Sequence, residues 1–239
     1  MWAMRTAVAI SLLMVLPAWN VGAAVLAESS RSKAAIARVK PELQQALAKK
    51  NLQFGAPVFI RIFKKTKELE VWLRSTDQRY VLFKTYPICT FSGDLGPKLK
   101  VGDSQAPEGF YRVAAAQMNP YSNYHLSFDL GYPNAYDRAE RRTGSALMVH
   151  GNCVSIGCYA MGDDGIEEIY ALADAALRGG QTAFDVHVFP FRLTNEALES
   201  YKTHRWHAFW QELKTGYDAF EKMHIPPTVI VRDKHYVVQ

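Results

Sequence analysis

Cysteine is scarce in this chain, and the placement of the few cysteines excludes one common kind of site. Cys89, Cys153 and Cys158 are the only cysteines among 239 residues. No two of them are spaced as C-x2-C, and no second cysteine–histidine pair completes the four ligands of a structural zinc ion. An odd number of cysteines allows at most one intramolecular disulfide, which leaves one thiol free for chemistry.

Long runs of one charge are also missing. The net charge is +5, but lysine and arginine are spread along the chain without forming a block. This diffuse excess favours an anionic cell-envelope surface and argues against a nucleic-acid partner. Apolar residues make up 49% of the chain and aromatic residues 12%, which excludes a disordered or low-complexity protein.

Charge is almost absent from the N-terminus, where Arg5 is the one charged residue before Glu28. The apolar run of residues 6–19 is shorter than the roughly 20 residues of a membrane-spanning helix. Val25-Leu26-Ala27 then has the small residues that signal peptidase accepts, with Ala23 or Ala24 as other cleavage points. We predict a signal peptide over residues 1–27 and a periplasmic protein of net charge +4. An uncleaved inner-membrane anchor is the alternative.

The pattern of apolar residues predicts a mainly β protein with attached α-helices. Residues 28–54 are predicted to be helical, with Pro41 breaking the helix or beginning a second one. Alternating apolar residues, such as Val58, Ile60 and Ile62, predict an antiparallel sheet of short strands. The long loop-rich segment 117–145 is of the kind that covers or forms a site.

The second half of the chain is predicted to alternate between helix and strand. A helix begins at Asp163 or Asp164 and stops at Gly179-Gly180. The segment "FDVHVF" predicts a strand that contains His187. We assign residues 55–193 to one domain and residues 194–239 to a helical extension that packs on it, with a short strand after Pro226-Pro227.

Two of the three cysteines lie in the segment "MVHGNCVSIGCYAM", residues 148–161. His150, Cys153 and Cys158 could together bind a metal, but their H-x2-C-x4-C spacing is not that of structural zinc. A Cys153–Cys158 disulfide would close a tight loop. A Cys89–Cys153 disulfide is an equal possibility, because sequence does not fix connectivity.

The remaining interpretation makes Cys158 a nucleophile. A nearby base generates the thiolate that attacks, and His150 can reach Cys158 if the intervening residues loop back. Gly151 and Gly157 permit sharp turns and let backbone N–H groups approach a reacting carbonyl. Cys153 lacks the preceding glycine and is interpreted as structural.

Three motifs occur in the order found in a known family. "VHG" followed by "SxGC" resembles the signature of the L,D-transpeptidase catalytic domain (YkuD) family, and "GDSQAPEGFY" is similar to its G-x-x-x-T-P-x-G-x-Y/F segment. "HLSFDLGYPNAYD" and "HGNCVSIGCYAM" together look like the YafK-like branch of that family. The resemblance spans about Val58 to Leu193, and three ordered motifs are far more specific than one.

The resemblance implies a β-sandwich or barrel catalytic domain that acts on peptidoglycan stem peptides with no cofactor and no metal. It implies that Cys158 is the nucleophile and His150 its general base. The N–H groups of Gly157 and Cys158 would then hold the negative charge of the reacting oxygen. Ser155 corresponds to the Ser/Thr of the signature.

The chain departs from the family pattern at two positions. Ile156 replaces the histidine expected before Gly-Cys, and Ala160 replaces an expected Arg or Asn. Some family members hydrolyse the bond between an outer-membrane lipoprotein and the diaminopimelate residue of peptidoglycan, and the loss of an acceptor-binding side chain suits that reaction. A non-catalytic peptidoglycan-binding module is the further alternative, although the presence of both His150 and Cys158 argues against it.

Several other residues are candidates for substrate binding. Ser155 and Gly151 lie in the signature, and His125 could orient substrate from the long loop. Arg142, with its neighbours Arg138 and Arg141, could bind a substrate carboxylate in a bidentate manner, or these arginines could be solvated. Three tyrosines of the same loop could line a cleft or hold the loop in place, namely Tyr121, Tyr124 and Tyr132.

Overall fold

The structure of the protein is a computed structural model that describes residues 26–239. Residues 1–25, which carry most of the predicted signal peptide and the alternative membrane anchor, lie outside the described residues. Among residues 26–239, no helix combines the length and apolar character needed to cross a membrane.

Residues 26–239 form five α-helices and twelve strands. The helices are α1 (Ser30–Ala48), α2 (Ala135–Ala139), α3 (Asp163–Arg178), α4 (Asn195–Glu199) and α5 (His207–Met223). The strands are β1 (Val58–Phe63), β2 (Glu68–Arg74), β3 (Tyr80–Pro87), β4 (Thr90–Phe91), β5 (Gly109–Ala114), β6 (Met118–Asn119), β7 (Ser127–Asp129), β8 (Met148–His150), β9 (Tyr159–Ala160), β10 (Ala183–Phe189), β11 (Val229–Arg232) and β12 (His235–Val238).

The strands form two five-stranded sheets and a hairpin, which confirms the mainly β prediction. The first sheet has the order β3-β2-β1-β10-β5, the second has the order β4-β9-β8-β7-β6, and β11 pairs with β12. The predicted antiparallel pairing is confirmed for β1, β2 and β3. Two pairs outside that prediction, β1–β10 and β8–β9, are parallel. Parallel pairing needs a connection that returns to the same end of the sheet, and period-two alternation does not reveal such a return.

Strand β1 is the centre of the first sheet and is buried on both faces. Val58, Ile60 and Ile62 join the core that also contains buried residues of α1, α3 and the second sheet. Phe59 and Phe63 project from the opposite face, where aromatic residues of α5 cover them. A strand between two layers reads as a nearly continuous apolar run, as "VFIRIF" does.

Helix α1 runs without interruption through Pro41, so the predicted break at that residue is wrong. A proline removes one backbone hydrogen bond from a helix interior. Tertiary packing offsets that loss, because Leu43 and Leu47 are buried in the main core, where α1 lies against α3.

The later helices follow the sequence pattern more closely. Helix α3 begins at Asp163 and ends before Gly179-Gly180, as predicted. The C-terminal segment differs, because two helices separated by a turn replace one continuous helical stretch. The predicted tail strand after Pro226-Pro227 is a two-stranded hairpin.

A buried ion pair connects the first sheet to the loop that precedes β5. Lys64, directly after β1, places its Nζ 3.2 Å from Glu108 Oε1, and both side chains are fully buried. Lys64 also donates hydrogen bonds to the carbonyl oxygens of Gly96 (2.9 Å) and Ala106 (3.1 Å). Glu108 accepts from the Gly96 N–H and from the indole N–H of Trp210 in α5. The pair therefore fixes the 94–108 loop between a sheet and a helix.

Of the two disulfides that the sequence leaves open, the structure contains Cys89–Cys153. Cys158 is a free thiol. The disulfide ties the start of β4 to the 151–158 segment, which connects the parallel strands β8 and β9 without a helix. Both of its cysteines are exposed.

We expect Glu108→Leu to lower the free energy of unfolding by about 3–5 kcal/mol, because it leaves the Lys64 ammonium buried without its partner. The double variant Lys64→Met/Glu108→Leu should recover much of that loss, since it removes both charges together. Urea denaturation followed by circular dichroism measures both values. Equal destabilisation in the single and double variants would contradict this account.

We expect Cys89→Ser/Cys153→Ser to lower the free energy of unfolding by about 2–4 kcal/mol, as the loss of a disulfide does. Because the disulfide is exposed, dithiothreitol should have the same effect on the wild type and none on the variant. A wild type whose denaturation midpoint is unchanged by reduction would show that the disulfide does not restrain the fold.

Candidate active site

Three adjacent strands of the second sheet present one face to the core and one to the site. Phe128, Val149 and Tyr159 are register partners across β7, β8 and β9, and all three are fully buried. Side chains alternate along a strand, so the neighbouring residues project from the opposite face in two rows. One row is Asp129, Met148 and Cys158, which are partly exposed, and the other is Ser127, His150 and Ala160, which are buried.

This register places the two predicted catalytic residues on the same face. Cys158 lies beside Met148, two positions before His150 on the adjacent strand. Strands about 4.8 Å apart with an offset of two residues put the two Cα atoms roughly 8 Å apart, a separation that the two side chains can bridge. The 151–158 segment loops back from β8 and places Cys158 directly before the adjacent strand β9, as the sequence analysis required.

The orientation of the His150 ring is fixed by its own strand end. Nδ1 lies 2.5 Å from the carbonyl oxygen of Gly151, so Nδ1–H donates and Nε2 is left as the basic nitrogen. Among residues 26–239, the structure gives Nε2 no hydrogen-bond partner. The Tyr124 ring lies over the imidazole with a centroid separation of 4.7 Å, which restricts rotation of the imidazole ring.

The environment of both groups favours their neutral forms. Burial raises the pKa of the Cys158 thiol above its ordinary value, and the Met148 N–H, 3.4 Å from Sγ, opposes that effect. Burial lowers the pKa of His150. The thiol can donate to the carbonyl oxygen of Ala146 at 3.7 Å. At neutral pH the site therefore holds a thiol beside an imidazole rather than an ion pair.

The turn before Cys158 depends on Gly157 and Ser155. Gly157 has a φ of +139°, which residues with a side chain rarely adopt. The Ser155 hydroxyl accepts from the Gly157 N–H at 3.1 Å and donates to the Cys158 carbonyl at 2.8 Å. The Gly157 N–H is therefore already engaged, contrary to its expected role toward the reacting oxygen, and Cys158 N–H is the remaining candidate. Ser155 braces the turn.

Gly151 lies where three segments meet closely. A Cβ at this position would come within 2.8 Å of the Tyr124 carbonyl oxygen and within 2.7 Å of Asp163 Oδ1. The same carboxylate accepts from the N–H of Asn152 at 2.7 Å. Gly151 thus permits the end of β8 to pack against the long loop and the start of α3.

His125 faces helix α3. Its Nε2 lies 2.6 Å from Glu167 Oε1, and Glu167 also pairs with Arg38 of α1. The N-terminal helix holds the same loop through Arg31, which donates to the carbonyl oxygens of Ser122 and His125. These contacts hold the loop that carries Tyr124 over His150.

Arg142 is neither solvated nor open to a substrate carboxylate. Its guanidinium is buried, donates to Asp137 Oδ1 at 2.8 Å and packs against the rings of Tyr136 and Phe209. Asp137 lies five residues earlier, at a buried position that a sequence pattern does not distinguish from an exposed one. Arg138, by contrast, is exposed.

A groove of about 670 Å³ lies beside the exposed row of the second sheet. Asp129, Ala146 and Met148 line it, as do Arg138 and the predicted cleft residues Tyr121 and Tyr132. The sequence analysis missed Asp129 and Met148, although the alternation in "SFD" and "MVH" places both on the face of Cys158. Within residues 26–239 no cluster of three or more His, Cys, Asp or Glu residues is arranged to hold a metal ion.

Comparison with known proteins identifies the family of this chain. Residues 57–188 match the family described as the L,D-transpeptidase catalytic domain, YkuD. The chain is 46% identical over 184 residues to YafK of Escherichia coli K12, provisionally designated an L,D-transpeptidase, and the alignment covers 77% of this chain and 74% of YafK. YafK of Escherichia coli O157:H7 gives the same values.

Solved structures with a related chain trace are more distant. A mutant of Pgp2, the helical cell shape determining protein of Campylobacter jejuni, has a TM-score of 0.47 at 19% identity, with 80% of this chain and 65% of that chain covered. Bd1075 of Bdellovibrio bacteriovorus has a TM-score of 0.40 at 19% identity, with 77% and 84% covered. These similarities carry no part of the assignment.

The family match covers more than half of the chain, and YafK is related to it over most of both lengths. This chain therefore belongs to the L,D-transpeptidase catalytic domain (YkuD) family, which acts on peptidoglycan.

Proposed function

We propose that this protein is an exported cysteine enzyme, of the L,D-transpeptidase type, that acts on peptidoglycan stem peptides through a thioester on Cys158. The observation that carries the proposal is the geometry of one free thiol and one oriented imidazole on the same face of a sheet. Cys158 is the thiol that the disulfide leaves over. His150 has Nδ1 fixed by Gly151, so Nε2 is the nitrogen that can take a proton.

The first step forms the thioester. His150 Nε2 accepts the thiol proton as Sγ attacks the carbonyl carbon of an L,D-type bond, and the carbonyl oxygen becomes negatively charged. The N–H of Cys158 is the candidate donor to that oxygen. The C–N bond then breaks, and the imidazolium returns the proton to the leaving amine.

The second step frees the enzyme. An amine or a water molecule gives a proton to His150 and attacks the thioester carbon, and Sγ leaves and regains the proton. An amine acceptor makes the reaction a transfer, and water makes it a hydrolysis. Both outcomes use the same two catalytic groups.

The second candidate is hydrolysis that releases a lipoprotein from diaminopimelate, and the two departures from the family pattern favour it. Ile156 is 84% exposed and presents an apolar side chain at the turn before the thiol. Ala160, the register partner of His150, contributes only a buried methyl group. Neither residue offers a polar group that could hold an amine acceptor.

Export is supported by the disulfide. Disulfides persist in oxidising compartments such as the periplasm and are rare in the cytosol. The Cys89–Cys153 disulfide is exposed to solvent, so the fold is suited to an oxidising compartment. The apolar N-terminal sequence also indicates export.

We expect Cys158→Ala to abolish turnover of purified muropeptides, with a loss of at least roughly 1,000-fold, while binding to sacculi is nearly unchanged. Mass spectrometry of the products scores transfer against hydrolysis, with and without a linked lipoprotein. As a matched control, alkylation of the single free thiol in the wild type should give the same loss. A wild type that turns over no stem peptide would instead favour a binding module.

The pH dependence of the reaction tests whether Cys158 and His150 are both uncharged in the free enzyme. We expect kcat/KM to rise with pH through a midpoint below 6.5, because the base must be unprotonated and burial lowers the pKa of His150. Alkylation of Cys158 by iodoacetamide in the free enzyme should have a midpoint above 9.0. An alkylation midpoint below neutral pH would show a preformed ion pair and contradict this mechanism.

A further inference from the structure

The groove beside the exposed row of the second sheet contains an acidic residue that the mechanism does not use. Asp129 is the register partner of Met148, which in turn lies beside Cys158, so the three residues form one row across the sheet. Two strand spacings of about 4.8 Å put the Cα atoms of Asp129 and Cys158 roughly 10 Å apart. Asp129 also lines the 670 Å³ groove.

The Asp129 carboxylate has no basic partner among residues 26–239. Oδ1 accepts from the N–H of Gly131 at 2.7 Å, and no lysine, arginine or histidine of the described chain lies within ion-pair distance. Most carboxylates near this site are paired, as Asp137 is with Arg142 and Asp103 with Lys98. A partly buried carboxylate without a cation is suited to binding a cation from outside.

A second charged residue, Arg138, lies in the same groove. Arg138 is exposed, lines the groove and donates from Nη1 to the carbonyl oxygen of Pro133. Within the described residues it has no carboxylate partner, whereas its neighbour Arg142 is buried and paired. The planar fork of Arg138 therefore keeps N–H groups for a carboxylate.

An unneutralised carboxylate is unfavourable for the proposed nucleophile. Burial is the largest effect on the pKa of the Cys158 thiol and raises it. The negative charge of Asp129 raises this pKa further, and Lys98 lowers it. His150 is the other titratable group on this face. A cation that binds Asp129 would remove the opposing charge when substrate is in place.

We propose that Asp129 and Arg138 form a subsite for a zwitterionic amino acid end of the stem peptide, with the ammonium on Asp129 and the carboxylate on Arg138. Diaminopimelate has such an end, because its second centre carries a free amino group and a free carboxylate. Six bonds separate that amino nitrogen from the carbonyl carbon on the first centre of diaminopimelate, a reach of about 7 Å. This reach suits the distance along the row from Cys158 to Asp129. The assignment rests on the proposed function and specifies its substrate.

The test compares stem peptides that contain diaminopimelate with peptides that contain lysine, which has the ammonium but not the carboxylate. Arg138→Gln should lower kcat/KM about 10- to 100-fold on the diaminopimelate peptide and leave the lysine peptide nearly unchanged. Asp129→Asn should lower kcat/KM on both peptides by a similar factor. Arg79→Gln and Asp185→Asn, at positions outside this groove, are the matched controls and should retain wild-type rates.

A second measurement separates a binding role from a structural one. Without substrate, Asp129→Asn should increase the rate of Cys158 alkylation at neutral pH, because a negative charge has been removed, while the thermal unfolding midpoint stays close to wild type. A variant that is slower toward peptide yet faster toward iodoacetamide fits the subsite. Slower reaction with both reagents would indicate misfolding of the site and overturn the assignment.

The subsite and the proposed function fail in different ways. If the wild type is active but Arg138→Gln affects both peptides equally, or Asp129→Asn affects neither, the subsite is wrong and the proposed function stands. If the wild type is inactive, calorimetry of the diaminopimelate tripeptide with Cys158→Ala and with Cys158→Ala/Asp129→Asn still tests the subsite. Equal affinity in that pair would overturn it.

Discussion

The position of the candidate active site depends on a buried ion pair between Lys64 and Glu108. A charged pair in a dry interior is stable only when its remaining hydrogen-bonding groups are satisfied, and here backbone groups of the 94–108 loop and the Trp210 indole satisfy them. The same loop contacts strand β9, which begins directly after the thiol-bearing residue. Pro107 accepts from the Tyr159 hydroxyl at 2.7 Å. The ion pair therefore supports the nucleophile through the loop it fixes, without touching it.

Before substrate binds, the two candidate catalytic groups at this site are both in their uncharged forms. Burial favours both the thiol of Cys158 and the neutral imidazole of His150. In the proposed mechanism, proton transfer during the attack generates the thiolate only when a carbonyl carbon is present to react with it. In the oxidising compartment proposed for this protein, such an arrangement would protect a free thiol, because an exposed thiolate reacts with other thiols and oxidants. The proposed role of Asp129 adds to this, since its charge opposes ionisation until a cation binds.

Much of the candidate site was accessible to sequence reasoning because its signals are local. The glycine before Cys158, the histidine at the end of a strand and the odd number of cysteines are all visible in one short segment. The helix α3 that follows is equally local, because its apolar spacing and its terminal glycines define it. The mainly β fold follows from the alternation of apolar residues in strands such as β2.

Tertiary structure decided the features that depend on partners distant in sequence. Cys89 pairs with Cys153, 64 residues away, and only the approach of β4 to β9 makes that choice. Arg142 is buried against Asp137 and two aromatic rings, because the packing of α2 on α5 encloses it. Pro41 stays within α1, because core contacts offset the hydrogen bond it removes. The sequence by itself determined which residues are candidates for the chemistry, since their types and spacing are local. The fold alone determined which of them meet, since a charge or a thiol acquires its partner only when distant strands pair.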